Sequence, residues 1–220
     1  MKWFCLWLPL LAGCAGTTHV YQMEDVRPAG AMAGKNVAAP VLRLLATRSD
    51  SYDDQQDLAF GTPNGLRGHY RYARWSELPS QRLHELLFRR LDDSPAFSVV
   101  LDSYAPGNEQ CDLETVLLDW YHDTATRPGM AVVMVRASLY GSSDQRQIGR
   151  QTFRVTAPVQ QYDGAAAVKA FDVADAQLLT QLTDWTVSLA GQCRAGNGAA
   201  GITPASSLPA THARPGTAPR

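Results

Sequence analysis

Nothing in this 220-residue chain approaches the ~20 consecutive apolar residues that a membrane-spanning helix needs; its longest apolar run, residues 3–11, has nine. Neither charge is in excess. Twenty Lys and Arg face 21 Asp and Glu, a formal net charge of −1. This argues against nucleic acid as a partner, because such proteins carry a basic patch or stripe. Catalytic signatures are missing as well. The chain has no Gly-x-Ser-x-Gly elbow and no His-Glu-x-x-His pair. Residues 58–75, LAFGTPNGLRGHYRYARW, hold three glycines. They lack the Gly-Lys-Ser/Thr ending of a phosphate loop, and strand-like rather than helical residues follow. Residues 50–57 contain four Asp but neither the central Gly nor the late Glu of a calcium loop, so a solvated loop is expected there. Of the five histidines, His122 lies near Asp119 and Asp123, but that spacing matches no common metal site. His122 is expected as an ordinary surface residue. No enzyme, cofactor or metal is expected.

Cysteine is also scarce, and the first two of the four define the N-terminus. Lys2 is followed by the nine-residue apolar run, then by Leu11-Ala12-Gly13-Cys14. A short run behind a positive charge, closed by small residues, has the form of a secretory leader. Leu-Ala-Gly-Cys resembles the bacterial lipobox, which implies cleavage after residue 13 and lipid, palmitate included, on Cys14. The alternative is a plain leader with an incidental cysteine. In lipoproteins of this kind an Asp after the cysteine retains the protein in the inner membrane. Ala15 stands there instead, which implies the outer membrane, facing the periplasm of a Gram-negative bacterium. Cys5 leaves with the leader. Cys111 and Cys193 remain as an even pair in an oxidising compartment. A disulfide between them is expected, two free buried thiols being the alternative.

The rest divides into a tether, a domain and a tail. Residues 14–36 show no periodicity and hold Gly16, Pro28, Gly30 and Gly34, so they read as a tether. Residues 37–46 read as a first strand. Pro63-Asn64-Gly65 marks a hairpin turn. Over 78–91, Leu83, Leu86, Leu87 and Leu91 form one stripe, and Pro79 suits the first turn of a helix. Residues 97–101 and 111–123 read as strands. Residues 130–140 alternate clearly, and 148–156 return after a turn, forming a meander. A long helix opens at Asp163-Gly164, carries Phe171, Ala174, Leu178, Leu182, Trp185 and Leu189 on one stripe, and is expected to close at Gly191. In residues 194–220, 20 of 27 are Gly, Ala, Pro, Ser or Thr. Such a segment buries too little apolar surface to offset ordering and is expected to be disordered. The domain is therefore 37–193. Two singly striped helices need a sheet to cover.

One long stretch carries a family likeness. HYRYARWSELPSQRLHELLFRRLDDSPAFSVV, from His69 onward, resembles the signature segment of the ABC-type transport auxiliary lipoproteins, the PqiC-like group. There an aromatic strand leads to a Trp, a Pro-containing helix start, a Leu-rich helix and a Phe-x-x-Val strand. The counterparts here are Tyr70, Tyr72, Trp75, Pro79, Leu83 to Leu91, Phe97 and Val100. The resemblance covers about residues 37–192; the tail has no counterpart. It implies an α/β (α+β) fold, one mostly antiparallel mixed sheet with two amphipathic helices packed on one face. It also implies a non-catalytic docking role at the outer membrane, beside an MCE-domain protein and its ABC transporter in intermembrane lipid transport, and a homo-oligomer. A lipoprotein that itself binds a lipid or other apolar molecule is the alternative. Candidate interface residues are Tyr70, Arg71, Tyr72 and Trp75, where aromatic and guanidinium groups mix, and Met130, Val132 and Met134, too apolar for an open sheet face. Trp75 has a second reading, as a plug beneath the first helix.

Overall fold

The computed structural model describes residues 16–24, 34–49 and 51–193. The leader, Cys14 and the 194–220 tail lie outside the described residues. The elements in chain order are β1 (His19–Tyr21), β2 (Val41–Leu44), β3 (Arg48–Ser49), β4 (Asp57–Gly61), β5 (Arg67–Trp75), α1 (Pro79–Asp92), β6 (Val99–Asp102), β7 (Cys111–Asp123), β8 (Met130–Gly141), β9 (Gln147–Pro158) and α2 (Gly164–Cys193).

The alternation in β8 sets one layer. Ala131, Val133, Val135, Ala137 and Leu139 are fully buried, as period-two burial requires. Antiparallel ladders tie β8 to β7 on one side and β9 on the other along nearly their full lengths. α2 crosses β8 and β9. It lies so close to β9 that a Cβ at Gly149 would stand 2.7 Å from Leu189 Cδ1. The other side of β7 takes three short parallel partners in turn: β2 at Cys111, β3 at Val116 and β4 at His122. β6 joins β2 in parallel, and β5 joins β4 antiparallel across the Pro63-Asn64-Gly65 turn, where Gly65 has φ +76°. The result is an open nine-stranded mixed sheet. Both helices bury their stripes in one continuous core, and they touch each other.

Three expectations need correction. The first concerns the tether. His19–Tyr21 pairs in parallel with the end of β5, Val20 opposite Arg74. Met23 is buried, and its carbonyl accepts bonds from Arg82 Nε at 3.0 Å and Nη2 at 2.8 Å. Three residues are too few to show a period. Their partners lie more than 50 residues away, so no local signal announced them. The second concerns the Asp-rich loop, which is not simply solvated. Asp53 is buried, and Asp54 Oδ1 accepts the Ser80 N–H at 2.9 Å, closing the first turn of α1. The third is the end of α2. The helix runs through Gly191 to Cys193, where the Cys111–Cys193 disulfide pins it to the start of β7 with Cα atoms 5.5 Å apart.

The Asp54 contact is testable. Leu78, the residue that precedes α1, offers no side-chain cap. Asp54→Ala should therefore lower stability by about 1 kcal/mol, as loss of an N-terminal cap does. Denaturant melts of parent and variant measure the difference, and equal midpoints would show that water replaces the carboxylate.

Candidate interaction face

Near the β1 edge the sheet and the start of α2 leave a groove of about 550 Å³, lined by His19, Tyr21, Tyr70, Arg71, Tyr72 and Tyr162 among others. A neighbouring groove of about 440 Å³ runs past Pro158, Lys169 and Val173. The two share Asp163 and Ala165. Asp163 Oδ1 accepts the Ala166 N–H at 2.7 Å and so caps α2.

The structure separates the aromatic candidates. Trp75 is 3% exposed and belongs to the core, with its ring 5.5 Å edge-on from Phe171 and 6.4 Å from Trp120. Tyr72 is 41% exposed, and Arg71 lies over its ring at 5.3 Å. Tyr70 lines the same groove but turns its hydroxyl inward. The β4/β5 ladder shifts register between Asp57 and Ala59, so simple alternation does not carry along β5. The Met130, Val132 and Met134 patch is largely closed. Val132 is 1% exposed, flanked across the ladders by Tyr121 and Thr156. Met130 and Met134 are half-buried.

Beneath the groove lies a polar chain that the sequence reading missed. His122 is buried, not on the surface. Its Nε2 is 2.8 Å from the Pro128 carbonyl, which can only accept, so Nε2 carries the proton. Nδ1 then accepts from the Tyr70 hydroxyl at 2.6 Å. Burial pushes the His122 pKa down, against the opposing pull of the Pro128 bond and Asp123. Burial also pushes Tyr70 up to about 12, with Tyr162 and Asp163 adding to it. Both groups are thus held uncharged, which suits a structural link between β5 and β7. A second missed node is Arg67. It lies 3.3 Å over the Tyr121 ring and reaches Asp53 at 3.3 Å and Asp119 at 3.4 Å. Burial raises the Asp53 pKa, and Arg67 offsets part of that rise. Only the Asp-rich composition of the loop pointed there.

The depressed His122 pKa carries a pH prediction. Neutral His122 is favoured in the folded state, so its contribution is complete above the ordinary value of 6.5. It is lost as pH falls from there through the folded pKa, because the unfolded chain then binds more protons. Stability should decline on acidification below that value, and His122→Gln should flatten the decline. Parallel pH slopes for the two proteins would remove His122 as its source.

Residues 21–183 match the model of a family described as the ABC-type transport auxiliary lipoprotein component. Among solved structures, the crystal structure of XCC0632 from Xanthomonas campestris, of the DUF330 family, superposes with a TM-score of 0.67 at 23% identity, covering 79% of this chain and 98% of that one. A crystal structure of an uncharacterized protein superposes with a TM-score of 0.61 at 15% identity, covering 78% of this chain and 99% of that one. At these identities the likeness is one of fold. No curated protein matches the chain. No helix among the described residues is long and apolar enough to cross a membrane. The family match begins at the last residue of β1 and ends within α2, taking in α1, the first two thirds of α2 and every strand between β1 and α2. The chain belongs to the ABC-type transport auxiliary lipoprotein family.

Proposed function

We propose that this auxiliary lipoprotein is held by lipid on Cys14 in the outer membrane, facing the periplasm, and docks an MCE-domain protein and its ABC transporter as a non-catalytic part of an intermembrane lipid-transport system. A homo-oligomer is part of this reading. The observation that carries it is the family match over residues 21–183. Leu11-Ala12-Gly13-Cys14 and the absence of Asp at position 15 support the anchor and its membrane. The test is crosslinking in intact cells, followed by affinity capture from membranes and mass spectrometry. An MCE-domain protein with an ATPase and a permease is the expected catch. Cys14→Ala should abolish both the outer-membrane fraction and that catch. A variant that fractionates and captures like the parent would sink the anchor, and a parent catch without these partners would sink the docking role. The two grooves favour a second reading, in which the domain itself holds an apolar molecule. Acyl chains co-purifying with a form lacking Cys14 would support it.

A further inference from the structure

We propose that the face formed by β1, Tyr72 of β5 and Tyr162 rests on the membrane that anchors the chain, with its aromatic and guanidinium groups among the lipid headgroups. The inference rests on the reading of Cys14 as the lipidated residue. Its basis is where the chain enters the fold. A tether over residues 14–36 would let the domain turn freely. Instead the sheet begins at His19. Only residues 15–18 separate Cys14 from it, and an extended chain spans at most about 3.6 Å per residue. The domain therefore starts no more than roughly 18 Å from the lipidated residue.

The contact of Gly16 tightens this limit. A Cβ on Gly16 would stand 2.6 Å from Tyr72 Cε1 and Cζ, so the chain lies directly on that ring. Cys14 is two residues away, within roughly 7 Å. The polar region of one leaflet is about 5–7 Å deep. The side of the domain that meets the headgroups is therefore the side carrying Tyr72.

The chemistry of that side fits a lipid surface. Val20, Tyr72 and Tyr162 are 66%, 41% and 44% exposed. Tyrosine is enriched at membrane interfaces because its ring is apolar and its tip is wet. Arg71 lies over Tyr72, and Arg127 lies 4.1 Å over Tyr162. Neither arginine has an ion pair with a carboxylate among the described residues, whereas Arg67, the other arginine over a tyrosine ring, reaches Asp53 and Asp119. A guanidinium left over beside a tyrosine matches a phosphate headgroup. The acid nearest the groove, Asp163, is engaged in capping α2.

The test places a photoreactive benzoylphenylalanine at Tyr72, and separately at Val20, in the full lipidated chain. Tyr104, 95% exposed on the loop after β6, serves as control. β6 and β1 end opposite sides of the strand path. The proteins are reconstituted in vesicles of phosphatidylethanolamine and phosphatidylglycerol, irradiated, and weighed intact. Phospholipid adducts should form at positions 72 and 20 roughly tenfold more than at 104, since labels on the opposite edge lie beyond the interfacial layer. Equal yields at the three positions would overturn the proposal. So would adducts to protein, whether a second copy or the chain's own tail. The mass before irradiation separates the premises: a chain without acyl groups overturns the anchor itself, and an acylated chain with no excess at 72 and 20 overturns only the orientation.

Discussion

Trp75→Ala should lower folding stability by about 3–5 kcal/mol, the usual cost of emptying a large aromatic site in a core. The ring is one of three in mutual contact. Trp120 and Phe171 stack at 5.4 Å, and Trp75 meets both edge-on. These rings come from β5, β7 and α2, so the cluster joins both halves of the sheet to the long helix. Aromatic pairs contribute about 0.5–1.5 kcal/mol beyond their buried area. With total stability on the order of 5–15 kcal/mol, the variant should lose a large share of its margin. Tyr72→Ala, three residues away and exposed, should change stability by only about 0.5 kcal/mol. Denaturant unfolding followed by circular dichroism compares the two. Equal midpoints for both variants would contradict the assignment of Trp75 to the core and Tyr72 to the surface.

Loss of the Cys111–Cys193 bridge should have the next largest effect. The two residues are 82 apart in sequence. On the chain-entropy model, closing a loop of that size stabilises by about 4 kcal/mol. The bond also has a specific mechanical role, since it fastens the last residue of a 30-residue helix to the first residue of the central strand. Reduction, or Cys193→Ser, should lower the unfolding midpoint accordingly and free the end of α2 to fray. Hydrogen exchange would show amides of that last turn losing protection first. Before reduction both thiols should resist alkylation in denaturant. A midpoint unchanged by reductant would mean that packing alone holds the helix end.

The long β9 strand lies at the edge of the sheet. β9 pairs only with β8 among the described residues. Its exposed side chains include Arg150 and Arg154 and no acid. An unpaired strand edge is a template for another chain.

The features legible along the chain alone are those that repeat in it. β8 was legible almost to the residue, because a twelve-residue strand shows its period two several times over; β7 was bounded as closely, although its alternation breaks between Leu117 and Asp119. α1 and α2 were legible for the same reason at period 3.6, and the even pair of cysteines behind a sequence with the form of a secretory leader was enough to expect their bond. The family likeness over His69 to Val100 rested on the same elements. Whatever depends on a distant partner came from the folded chain alone. β1 is a strand because β5 offers it an edge, and Met23 packs into the core while its carbonyl accepts from Arg82. His122 is buried between Tyr70 and Pro128, and that burial favours its neutral form, in a fold that the local pattern does not show. Val132 is closed and Tyr72 open for one reason: side-chain exposure depends on which neighbours the sheet brings alongside. Local periodicity says which face a residue takes. Only the pairing of strands far apart in sequence says what, if anything, covers that face.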